Sequence, residues 1–135
     1  MEGAAPAERE DIRDEDLVEF LRAFYEKLDE DPLLRRYFVD LEMDEHIPRI
    51  AAFWSTLVFR TRRYSDNAFA PHERLEGLTS EHFERWVGTL EALLDERYSG
   101  PAVERMKTAA HRIAYSMQLR LGISPFAPYR FAADP

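Results

Sequence analysis

The chain predicts an all-α fold, and three observations carry that prediction. Apolar residues recur at spacings of three and four through most of the sequence, the repeat of one face of a helix. The period-two alternation that marks a half-buried strand is nearly invisible. The breaks between periodic stretches carry helix-ending chemistry: Asp31-Pro32, Ser99-Gly100-Pro101 and Gly122.

Leu17, Phe20, Leu21, Phe24 and Leu28 mark the first long helix, entered through Asp14-Glu15-Asp16, where carboxylates complement the positive end of the helix dipole. Asp31-Pro32 ends it. A short helical turn then carries Leu33, Leu34, Tyr37 and Phe38, with Pro32 near its first position, where its lack of an amide donor costs nothing. The next helix starts near Asp44 and is expected to run to about Arg62. His46, Ile50, Phe53 or Trp54, and Leu57 share one face of it, and Ile47, Ala51, Trp54 and Val58 widen that face.

From Tyr64 to Leu78 no period is sustained, and Ser65-Asp66-Asn67, Pro71 and Gly77 punctuate the stretch, so it reads as a connector holding at most one short helical turn. Thr79-Ser80 supplies the cap of a helix bearing Phe83, Trp86, Val87, Leu90, Leu93 and Leu94. Pro101 opens the last helix, whose stripe is Val103, Met106, Ala110, Ile113, Met117 and Leu121, and Gly122 closes it. The expected organisation is one domain over residues 15–122, with a flexible extension at 1–14 and an irregular tail at 123–135.

At 135 residues the chain can bury a real core without dividing in two. With 45% hydrophobic and 13% aromatic residues it is not of the disordered class, and no apolar run approaches the roughly 20 residues of a membrane-spanning helix. The formal net charge of −8 argues against a general nucleic-acid surface, which needs clustered Lys and Arg to release counterions. Arg60, Arg62 and Arg63 form too small a basic cluster to reverse that. They suit either a solvated helix end or the edge of an anionic cofactor. The absence of cysteine excludes disulfides and thiolate chemistry, and the acidic start lacks the features of a secretory signal. A cytoplasmic protein with neither nucleic-acid nor membrane partners is the expectation.

Histidine supplies the candidate chemistry. His72 sits in the connector, after the helical segment carrying His46 and before the one carrying Trp86, where it could bind a metal between two helical walls; a surface or capping role is the alternative. Tyr25 lies at the edge of the first helix's stripe, as a core tyrosine or a buried donor. Trp86 falls among Phe83, Val87 and Leu90, as core or as an indole that donates a hydrogen bond and never accepts one. His82, in a helical first turn, can close a cap, and His111 falls off the last stripe. No His-x-x-x-His, Glu-x-x-His or paired-carboxylate spacing supports a zinc or di-iron bundle, and phosphate-loop, dinucleotide and nucleophile-elbow patterns are absent.

Taken in order, Phe24-Tyr25, Phe38, His46, Phe53-Trp54, His72 and Glu81-His82-Phe83-x-Arg85-Trp86 resemble the group III truncated haemoglobins, over residues 17–121. Met43 stands where that family commonly has tryptophan, and Asp66-Asn67-Ala68 where it commonly has Gly-Asn-Pro. The resemblance implies a truncated-globin fold, a two-over-two helical sandwich around haem b, whose iron is ligated by His72. It implies Tyr25 and Trp86 as donors to an iron-bound ligand, because dioxygen on ferrous iron acquires negative charge that such donors stabilise. For His46 it leaves three roles open: a gate at an exposed rim, a donor to ligand, or a sixth iron ligand, the gate being preferred. Phe38, Ile50, Phe53, Leu75, Val87 and Leu90 become apolar cofactor contacts. Arg49 would reach a propionate or pair with Glu45.

The function so implied is reversible binding of dioxygen, nitric oxide and carbon monoxide, for nitric oxide detoxification or related redox chemistry. Nitric oxide dioxygenase or peroxidase-like activity would need an electron-donating reductase that this domain lacks. The rival from another class is a haem-free all-α interaction module, which explains the amphipathic stripes without asking anything of His72.

Overall fold

The computed structural model describes residues 9–62 and 76–123. It has four main helices: α1 (Leu17–Glu30), α2 (Met43–Trp54), α3 (Ser80–Arg97) and α4 (Pro101–Arg120). Strands are absent among the described residues. α1 lies against α2 and α3 lies against α4, and the two pairs meet where α1 packs on α3. This is the two-over-two arrangement. None of these helices is long and apolar enough to cross a membrane.

Each pairing follows from the stripes. Phe20, Leu21, Phe24 and Leu28 of α1 are buried with Ile47, Ala51 and Trp54 of α2, Leu90, Leu93 and Leu94 of α3, and Val103, Met106 and Ala110 of α4. Each fully buried Leu or Phe contributes about 1.5–3 kcal/mol of transfer free energy, so these stripes dominate the choice of fold. A smaller cluster of Phe83, Val87 and Ala114 lies at the Leu78 and Ile123 ends of the α3/α4 pair, and Trp86 touches both clusters.

α2 buries a face rotated from the expected centre. Ile47, Ala51, Trp54 and Val58 are interior, whereas Ile50 and Phe53 are half-buried and Leu57 is exposed. Pro48 inside α2 removes one backbone donor. Beyond Trp54 the chain widens into a π-helical turn at Ser55–Phe59, which stops at Arg60 in the left-handed conformation (φ 59°). The helix therefore ends earlier than the expected Arg62. Local hydroxyls fit the change: Thr56 Oγ1 donates to the Ala52 carbonyl at 2.9 Å, and the buried Ser55 hydroxyl meets that of Thr61 at 2.6 Å.

Three ends of α3 and α4 are closed by different devices. At the start of α3, His82 Nδ1 accepts the Thr79 amide at 3.0 Å, the cap expected of that histidine. α4 ends in a Schellman motif: Gly122 has φ 76°, and the Ile123 amide reaches the Gln118 carbonyl at 2.8 Å. The start of α4 is capped from far along the chain. Asp11 accepts the amides of Ala102 and Val103 at 2.8 and 3.1 Å, and Gly100 (φ 151°) leaves no room for a Cβ beside that carboxylate. Ile12 is 1% exposed and belongs to the core. Asp11 and Ile12, which the sequence assigns to an extension, thus lie against the helices, because a carboxylate that satisfies orphan helix amides is itself held in place.

Candidate functional site

Tyr25 is the centre of the site. α1 turns it inward beside Phe24, leaving it 9% exposed, and three rings surround it. Phe24 and Phe38 each lie 5.6 Å from its centroid, and the His46 imidazole lies 5.0 Å away, tilted by 33°. Phe24 in turn meets Trp86 edge-on at 6.1 Å. A continuous aromatic chain therefore runs from α3 through α1 to α2.

Burial pushes the Tyr25 phenol well above its ordinary pKa, so it holds its proton at neutral pH. Among the described residues no group hydrogen-bonds its hydroxyl. It is a donor held among aromatic rings without an acceptor among the described residues. His46 is half-buried and its Nε2 atom is buried.

The remaining sequence-derived candidates divide by helix. Ile50 and Phe53 are half-buried on α2, with Phe53 packed edge-on against Trp54 at 5.6 Å. Val87 and Leu90 are buried on α3, Leu90 in the main core. Arg49 is exposed, and the ion pair at this end of α2 is instead Arg22 to Asp44 at 3.6 Å. His72, Leu75 and Arg63 lie outside the described residues. Among the described residues no group of three or more His, Asp or Glu is placed to hold a bare metal ion.

The comparison with solved structures places the chain in a superfamily. No protein-family model and no curated protein matches. The fold superposes on the crystal structure of a group III truncated hemoglobin from Campylobacter jejuni with a TM-score of 0.74 and 26% sequence identity, over 85% of this chain and 95% of that one. The chain is a member of the truncated-globin superfamily. Its α1/α2 and α3/α4 pairs are the two layers of the truncated-globin sandwich, and Tyr25, Phe38 and His46 come together between the first two helices.

Sequence reading missed three parts of this truncated globin. Asp11 was invisible because its partners lie some 90 positions away. Tyr37 was seen only as an apolar turn residue, yet its hydroxyl donates to the Glu76 carbonyl at 2.7 Å, with Arg36 alongside at 3.2 Å. That contact ties the turn carrying Phe38 to the segment leading into α3. Arg22, Val39 and Leu41, which with Met43 line a cleft reaching Tyr25, belonged to no motif. Amphipathic spacing does point Arg22 to the same side of α1 as Tyr25, the one signal available for it.

Proposed function

We propose that the chain holds haem b and, through its iron, reversibly binds dioxygen and other diatomic ligands such as nitric oxide and carbon monoxide. The observation that carries this reading is the buried, proton-bearing Tyr25 phenol, set against His46 and Phe38 inside a truncated-globin fold. Haem, when bound, would supply an iron that takes a protein nitrogen and can also take a small diatomic ligand. We assign the nitrogen to His72, on its place in the sequence between the helical stretch that ends at Phe59 and the helix that begins at Ser80.

The described residues fit such a group on the ligand side. Tyr25 donates from its phenol, a hydrogen bond whose strength rises with negative charge on the acceptor and with exclusion of water. Trp86 offers its indole N–H, which can only donate, and so favours an electron-rich ligand over a protonated one. His46 orients the phenol through its ring contact. Phe38, Ile50, Phe53, Val87 and Leu90, with Leu75, supply apolar contact to the macrocycle. Arg49, exposed on α2, suits a propionate at the solvent edge.

We further propose a redox duty rather than simple delivery, since two donors on one ligand slow its release. Joining nitric oxide and dioxygen into nitrate consumes one electron, and reducing peroxide to water consumes two. Either requires a separate electron-donating reductase. Titration of the purified chain with hemin tests the reading: one equivalent should saturate it and develop an intense Soret band. Absence of saturable binding would return the chain to the class of haem-free helical interaction modules.

A further inference from the structure

A cleft of about 350 Å³ opens between α1 and residues 38–47 and reaches Tyr25. Its inner wall is apolar, made by Phe38, Leu41, Met43 and the fully buried Ile47. Its outer wall carries the exposed Arg22, Glu26 and Asp29, with Val39, 58% exposed, beside them. His46 is not among the lining residues.

We propose that this cleft is the port by which small neutral diatomic ligands reach the Tyr25 phenol, a route between α1 and residues 38–47 that bypasses His46. The inference rests on the haem-binding reading and adds to it a path and a selectivity. Size permits it: a single water takes only about 30 Å³ of liquid volume, and a diatomic gas is of that order. Chemistry favours neutral species twice over. The inner wall offers no group to replace the hydration of an ion, so a charged ligand pays desolvation that a gas does not. At the rim, Arg22 is engaged by Asp44 at 3.6 Å, which leaves the carboxylates of Glu26 and Asp29 to repel anions.

A port controls rates in both directions and leaves equilibrium alone. Val39→Trp, at an exposed position, would fill the mouth without disturbing the core. In the haem-loaded ferrous protein, carbon monoxide association after flash photolysis should slow about tenfold, with dissociation slowing in proportion and affinity conserved. The second arm leaves the cleft open and changes its charge: Glu26→Gln with Asp29→Asn should raise the rate of azide association to the ferric protein several-fold relative to carbon monoxide association to the ferrous one, the gain shrinking as salt is added. Unchanged carbon monoxide kinetics in a folded Val39→Trp variant would overturn the port. An azide ratio indifferent to the rim carboxylates would overturn the selectivity. A parent protein that forms no carbon monoxide complex would refute the haem reading itself, an outcome visible before either variant is made.

Discussion

The His46 imidazole lies 5.0 Å from the Tyr25 phenol ring, tilted by 33°, with its Nε2 atom buried. These residues come from two different helices, so their contact fixes where α1 and α2 present polar atoms to the interior. With Phe38 closing the other side at 5.6 Å, the phenol has little freedom to swing. A donor so held needs no reorganisation when an acceptor arrives, which is the condition under which a single hydrogen bond has its largest effect.

Replacing Tyr25 or Trp86 with Phe should therefore speed dioxygen dissociation. A charge-assisted hydrogen bond contributes about 1.5–3 kcal/mol, or roughly tenfold to a hundredfold if the loss falls on dissociation. Carbon monoxide, which carries less negative charge on its outer atom, should be released with a smaller change. Stopped-flow dissociation of both gases checks this. Unchanged dioxygen release in both variants would place the donors elsewhere.

Because burial holds the Tyr25 pKa above its ordinary 10.0, the folded state resists ionising it. The stabilising contribution is therefore intact below about pH 10, where the unfolded phenol is also protonated, and is lost as pH rises through the folded value. Denaturant midpoints should fall above about pH 10, and fall less steeply in Tyr25→Phe. Ultraviolet titration of the folded wild type and of that variant should count the same number of phenolates. A missing ordinary phenolate step in the variant would show that Tyr25 titrates freely.

Asp11→Ala should remove the acceptor of the Ala102 and Val103 amides. Loss of a capping acceptor costs about 0.5–2 kcal/mol. For a domain of this size that lowers Tm by roughly 2–8 °C, measurable by thermal circular dichroism. Gas-binding rates should not follow, since the cap lies at the α4 terminus rather than beside Tyr25.

The helices were legible because their apolar stripes survive any reasonable boundary error, and the two pairings follow from which stripes are widest. Tyr25 and Trp86 were legible only through the order of aromatic residues along the chain, since spacing alone makes either an ordinary core ring. What stayed hidden depends on contacts far apart in sequence or on local geometry that no spacing encodes. The Asp11 cap is of the first kind. The rotated face of α2 is of the second: both Ile47 and Ile50 suit an apolar stripe, and packing against α1 chooses Ile47 for the interior.

His72→Ala should sharply lower haem retention, whereas His111→Ala, which breaks a 2.8 Å contact with Glu91 between α3 and α4, should leave the absorption spectrum as it was. Resonance Raman of the ferrous parent should show an iron–histidine stretch that the first variant loses and the second keeps. A proximal-histidine signature surviving unaltered in His72→Ala would remove that residue from the iron.

The absorption spectrum of the haem-reconstituted ferrous protein, recorded before and after carbon monoxide, tests the central claim most directly. A saturable shift to a sharp carbon monoxide Soret band, at one haem per chain, is the result expected of a haem-binding truncated globin with an accessible ligand site. A spectrum that matches free haem, or that does not respond to the gas, would contradict it.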